Sequence, residues 1–227
     1  MNILISGASG LIGSALVPYL QKEGHHIVKL TRNEQSAIFW DPEQGHIQLR
    51  ESDSFEAVIH LAGENIADGR WNARKKERIR SSRIEGTTLL ARTIAALERK
   101  PRVMLSASGI GIYGHQAERM LTEADPPGEG FLIDVSREWE SATHPAQEAG
   151  IRVVHMRIAP VLSLKGGMLK RMVPFFKLGT GASLGTGKQY MSWIIMDDVV
   201  RAIDYLLNDE SLQGPVNLCT PNPVTNN

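Results

Sequence analysis

The sequence predicts an α/β domain: a doubly wound parallel sheet with helices on both faces and a small C-terminal lobe. Three observations carry this. Short apolar runs alternate with longer stretches of helical period. The runs are unbroken rather than alternating, as in strands buried on both faces. The composition is that of a globular chain, with 42% hydrophobic and 22% charged residues in 227.

Ile3–Ser6 reads as a buried strand and Leu11–Glu23 as a helix, which Gly24 ends. His26–Thr31 is a second strand. Beyond it the pattern weakens. Ile38–Trp40 and His46–Leu49 read as a hairpin or two edge strands, with Asp41–Gly45 as the turn. Ala57–Leu61 is the next clear strand. Asn72–Lys100 is long, charged and helical in period, with Pro101 just past its end. Arg102–Ser106 reads as a strand, Arg137–Glu148 as a helix and Arg152–Ile158 as a strand. From about Gly166 glycine becomes frequent and the alternation fades. The polar end, Thr220–Asn227, reads as a loop.

Charge and cysteine count narrow the function. Lys plus Arg number 25 and Asp plus Glu 25, for a net charge of zero. Disorder is excluded, and nucleic acid is not the expected partner, since phosphate backbones call for a basic excess. The one cysteine, Cys219, has no partner for a disulfide or a zinc site. The seven histidines form no metal constellation, and His25 and His26, adjacent on a strand, face opposite ways. No Gly-x-Ser-x-Gly elbow is present. The opening Met1–Gly7 lacks the basic segment of a secretory signal, and no run approaches the roughly 18 apolar residues of a membrane span. A cytoplasmic protein without a membrane partner is the expectation.

The strongest chemical signal is Gly7-Ala8-Ser9-Gly10-Leu11-Ile12-Gly13, between a strand and a helix. In that setting Gly7 allows the tight turn, Gly10 lets backbone approach a pyrophosphate, and Gly13 lets helix pack on strand. N–H groups near Leu11 and Ile12 then face the anion at the positive end of the helix. The fold is therefore expected to be Rossmann-type.

The G-x-x-G-x-x-G spacing resembles the extended branch of the short-chain dehydrogenase/reductases. Longer strings are similar to an atypical subgroup of it, the epimerase family proteins. They are Leu61–Ile66, Trp71–Arg83, Ser108–Gly114, Arg157–Gly167 and Gly179–Asp198. The resemblance implies a nucleotide-binding domain over 1–165 and part of a substrate lobe over 166–227, interleaved with the main sheet. It also implies that relatives continue past the position of Asn227, so that the lobe is incomplete.

Where this fold binds NAD, an acid ends the second strand. Here that place reads Thr31-Arg32, so NADP is the expected cofactor, with Arg32 on the 2′-phosphate and Thr31 adding a hydroxyl. By resemblance His60, Leu61 and Ala62 lie beside the adenosine. Pro160 and Val161 meet the nicotinamide. Arg83 holds a ribose, a phosphate or an anionic substrate, with Glu77 orienting it or meeting a ribose hydroxyl. Lys165–Gly167 and Gly179–Gly187 are loops above the pocket, or mere linkers, with Lys188 available to an anion. Trp71, Trp139 and Trp193 are expected to pack.

These reductases pair a Tyr with a Lys four residues on. None of the four tyrosines has one, and the segment Phe131–Glu138 where the pair should fall holds neither residue. Ser108 is the remaining active-site hydroxyl and Tyr113 the substitute acid. Two functions follow. One is an NADP-dependent oxidoreductase or nucleotide-sugar-epimerase-like enzyme of a small substrate. The other is a catalytically inactive NADP-binding sensor. The resemblance implies a homodimer through Asn72–Lys100 and Arg137–Glu148.

Overall fold

The computed structural model describes residues 1–36, 38–49, 53–182 and 185–225. Ser183 and Leu184, inside the glycine-rich stretch, and the last two residues of the polar end lie outside that set.

The elements run β1 (Asn2–Ser6), α1 (Gly13–Lys22), β2 (His26–Leu30), β3 (Phe39–Asp41), β4 (His46–Gln48), β5 (Ala57–His60) and α2 (Ala73–Ala95). Then follow β6 (Val103–Gly109), a 3-10 turn (Ile110–Tyr113), α3 (Phe131–Ser141), α4 (His144–Glu148), β7 (Arg152–Ile158) and β8 (Val161–Leu162). Last come α5 (Gly167–Lys177), β9 (Tyr190–Met191), β10 (Ile194–Ile195), α6 (Met196–Asn208), β11 (Gly214–Leu218) and β12 (Val224–Thr225).

The main sheet has the order β11-β7-β6-β5-β1-β2, and every pairing is parallel. From β1 the chain moves outward to β2, then returns past β1 to β5. The carboxyl ends of β1 and β5 therefore flank the point where the winding reverses, the place where such sheets bind ligands.

One face of the sheet packs Ile3, Ile5, Ile59, Leu105 and Met156 against α1 and α6. The other packs Leu4, Val58, Met104 and Val153 against α2 and α4. On that second face, one step toward the carboxyl ends, lies a polar row. Ser6, His60, Ser106 and His155 are direct neighbours across four strands, and Ser108, Arg157 and Asn217 form the next row.

Four expectations change. The helix over Asn72–Lys100 ends at Ala95, with Asn72 as its cap, its side chain accepting from Lys75 N–H. The helix over Arg137–Glu148 is two helices. Pro145 cannot donate a backbone bond, and the Thr143 hydroxyl takes the Glu140 carbonyl instead. The fading alternation after Gly166 resumes in α6 and β11, which join the main sheet and core. Part of the polar end is strand β12, paired with β9. The segment between Thr31 and Ala57 is a hairpin, β3 with β4, whose Trp40 is buried against α2 at Gly86.

Candidate functional site

The loop after β1 is built around backbone contacts that admit no side chain. Gly7 has φ +72°, and a Cβ there would come within 2.7 Å of the Leu61 carbonyl carbon after β5. A Cβ on Gly13 would collide with the Gly7 carbonyl oxygen. The Gly10 N–H bonds the Gly7 carbonyl at 3.0 Å, and Gly10 itself is exposed. Helix α1 opens at Ile12 without a side-chain cap. Ser14 and Ala15 N–H bond the Gly10 and Ile12 carbonyls, while the N–H groups of Leu11, Ile12 and Gly13 have no backbone acceptor among the described residues and are left for an outside one. A tight glycine cradle at an uncapped helix start fits a pyrophosphate.

At the end of β2, Arg32 is exposed and has no ion-pair partner among the described residues. The Thr31 hydroxyl is used locally: it donates to Ser36 Oγ at 3.0 Å and accepts from Asn33 N–H. The Leu61 and Ala62 backbone lies against Gly7. The His60 side chain turns away from that contact. It is fully buried, with Nδ1 2.6 Å from Ser6 Oγ and Nε2 2.9 Å from Thr87 Oγ1. Burial pushes its pKa down to about 4, so it is neutral at pH 7.

The loop 61–72 is clamped onto α2. Lys75, 4% exposed, donates to Glu64 Oε1 and to the Asn65 carbonyl, both at 2.7 Å. The bond to Glu64, with burial opposing it, holds that carboxyl below its usual range. The Arg83 guanidinium lies against Gly63 and donates to the carbonyls of Glu64 and Ile79 at 3.1 Å. It also stacks over the Trp139 ring at 4.9 Å, and burial pulls its pKa down to about 10. Glu77 is exposed on the outer side of α2, and the acid acting on Arg83 is Glu64.

At the ends of β6 and β7 lies a buried charged network. Ser108 donates to Glu140 Oε1 at 2.7 Å. Arg157 grips the same carboxylate with Nε on Oε1 and Nη2 on Oε2, both at 2.9 Å. Its Nη1 donates to Tyr113 Oη at 2.8 Å, and Tyr113 donates in turn to Asn217 Oδ1 at 2.8 Å. Burial would raise the Glu140 pKa, but the bonds from Arg157 and Ser108 outweigh it and lower the value. Burial likewise opposes the Arg157 charge, and the bonds to Glu140 and Tyr113 outweigh it. Tyr113 is only 4% exposed. Two residues before Ser108, the buried Ser106 Oγ has no hydrogen-bond partner among the described residues.

Pro160 is exposed, and its carbonyl accepts from Ile194 N–H at 3.2 Å; Val161 begins β8 beside β10. Gly166 packs on Leu11, so the Lys165–Gly167 loop reaches the glycine loop after β1. Arg171 of α5 spans to Asp68 at 2.6 Å, and Lys188 is exposed. Trp139 packs, its Nε1 donating to Thr87; Trp71 is 42% exposed at the rim, tilted onto Phe131. Among the described residues no group of three or more His, Cys, Asp or Glu could hold a metal ion. No helix of the described chain is long and apolar enough to cross a membrane.

The sequence reading missed Glu140, Arg157 and Asn217. A signal for Arg157 was available, because a charge inside an apolar strand requires a buried partner.

A family model described as the NAD dependent epimerase/dehydratase family matches residues 3–219. An epimerase family protein of Mycobacterium bovis, Mb2239, is 42% identical over 227 residues, 99% of this chain and 75% of the relative. The Bacillus subtilis epimerase family protein YfhF is 34% identical, covering 99% of this chain and 76% of its own. Among solved structures, human epimerase family protein SDR39U1 (isoform 2) with NADPH superposes with TM-score 0.90 at 30% identity, over 100% of this chain and 76% of that one. A nucleoside-diphosphate sugar epimerase from Corynebacterium glutamicum gives TM-score 0.86 at 37% identity, over 100% of this chain and 48% of that one.

Proposed function

This chain belongs to the NAD dependent epimerase/dehydratase family, and on that premise we propose that it is an NADP-dependent oxidoreductase or epimerase-like enzyme acting on a small anionic substrate. The observation that carries the reading is the glycine cradle at the uncapped start of α1, placed where the sheet reverses its winding. Gly7, Gly10, Leu11, Ile12 and Gly13 would hold the pyrophosphate. Leu61 and Ala62 would line the adenosine side, while His60 supports that wall from beneath. Pro160 and Val161 would border the nicotinamide. Glu77 has no part in this reading.

NADP is preferred over NAD because Arg32, at the end of β2, is an exposed guanidinium with no carboxylate of its own among the described residues. The relative solved with NADPH agrees with that choice. When bound, the nicotinamide supplies a hydride acceptor or donor. The chain's own part is to orient the substrate oxygen at Ser108, to hold Tyr113 behind it, and to offer Arg83 to an anionic group. A homodimer accompanies this reading from resemblance alone, and a cytoplasmic location from the sequence pattern.

One observation favours a second reading. The Tyr113 hydroxyl is spent between Arg157 and Asn217, and no Tyr-x-x-x-Lys pair exists to replace it. A protein that binds NADP as a sensor, without turnover, would need nothing more.

Titration calorimetry with NADPH and NADH tests the cofactor. A charge-assisted contact to the 2′-phosphate contributes about 1.5–3 kcal/mol. Arg32→Ala should therefore weaken NADPH binding by about tenfold or more and leave NADH binding unchanged. Equal loss of both nucleotides would contradict the specificity, and binding of neither would contradict the reading itself.

A further inference from the structure

The geometry points to Glu140 as the positioning residue of this site: its carboxylate takes the Ser108 proton in a hydrogen bond, so that Ser108 meets a ligand as a hydrogen-bond acceptor, the role that fits a substrate hydroxyl. This deepens the enzyme reading above and rests on it.

Two hydroxyls were candidates, and their bonds separate them. Tyr113 Oη accepts from Arg157 and donates to Asn217, both at 2.8 Å. A phenol so engaged has little left for a ligand. Ser108 makes one bond, as donor, to Glu140 Oε1 at 2.7 Å. Its oxygen keeps its lone pairs, at the carboxyl end of β6 where the chain turns at Gly109.

Glu140 is itself fixed from the far side. Arg157 binds it through two parallel N–H···O bonds, a geometry that sets the carboxylate plane as well as its charge. The backbone at Glu140 is held too, since its carbonyl accepts from Thr143 Oγ1 at 2.7 Å. A carboxylate clamped in this way stays ionised and accepts only. A serine facing it has one place for its proton. The usual pairing, in which a lysine charge steadies a tyrosine, is thus replaced by a charge pair that steadies a serine.

The test uses a thiol as reporter and needs no substrate. In a Cys219→Ser background, Ser108→Cys places a titratable group against Glu140, and thiolate absorbance gives its pKa. A facing carboxylate raises that pKa above the ordinary range of about 8.5. Glu140→Gln should lower it by about one unit or more, and the same change should leave the control Ser106→Cys unmoved. An identical titration of the introduced thiol with and without Glu140 would overturn the proposal.

Because Glu140→Gln also frees Arg157, a second measurement leaves residue 140 intact. Carbon NMR follows the Glu140 carboxyl in wild type and in Ser108→Ala. Its pKa should rise when the serine donor is removed, and an unchanged value would overturn the proposal. Neither readout depends on nucleotide, so a failure of NADPH binding would remove the enzyme reading while leaving these results to judge Glu140.

Discussion

The two faces of the main sheet are made from the same strands and do different things. Toward α1 and α6 the face is apolar across its central strands, with Ile3, Ile5, Ile59, Leu105 and Met156 all fully buried and Lys29 only at the β2 edge. Toward α2 and α3 the apolar rows stop halfway, and hydroxyls, imidazoles and an ion pair take over. A residue on the first face needs only volume and hydrophobicity. A residue on the second also needs a partner in the correct place. The first face holds the fold together, and the second carries the fold into the site.

Substitution should separate the two. The largest effect is expected on the polar face. Glu140→Leu leaves Arg157 buried without its carboxylate, at a cost of about 3–5 kcal/mol in urea unfolding. Leu105→Ala on the apolar face, one strand position from Ser106, should cost about 3 kcal/mol through lost burial and a cavity. It should leave NADPH affinity where it was, which calorimetry would check.

Between pH 7 and pH 5, acid should affect the polar face and spare the apolar one. His60 is held neutral, with its pKa lowered to about 4 from 6.5 by burial, so the unfolded chain binds the proton first as pH falls. Stability is therefore complete above about pH 6.5 and is lost progressively toward pH 4. At pH 5 the wild type should have lost about 2 kcal/mol relative to neutral pH on this account. His155, also lowered by burial, adds in the same direction. A flat melting temperature between pH 7 and pH 5 would break the comparison. The smallest effect belongs to an ion pair outside both faces. Arg171 and Asp68 meet at 2.6 Å but are more than half exposed, so Arg171→Ala should change stability by no more than about 0.5 kcal/mol in urea unfolding.

The apolar face was the legible one. Ile3–Ser6, Ala57–Leu61 and Arg152–Ile158 announce themselves as buried strands, and the glycine loop marks the carboxyl end of the first. Helix α6 was missed, although Val199, Val200, Ile203, Leu206 and Leu207 fall at helical spacing. The glycine-rich stretch before it hid the return of the alternation. The polar face could not be read because its meaning lies in register. His60, Ser106 and His155 are ordinary strand residues until two separate strand pairings set them side by side. The Glu140–Arg157 pair joins residues 17 apart on a helix and a strand, and the intervening Pro145 broke the helix that was expected to carry Glu140.

Hydrogen–deuterium exchange with and without NADPH tests the central claim most directly, that the carboxyl ends of these strands form one nucleotide site continuous with the polar face. The account predicts protection in the loop from Gly7 to Gly13, at Leu61–Gly63 and around Ser108, with the apolar face of α6 unchanged. Protection elsewhere in the chain, or none at saturating NADPH, would contradict it.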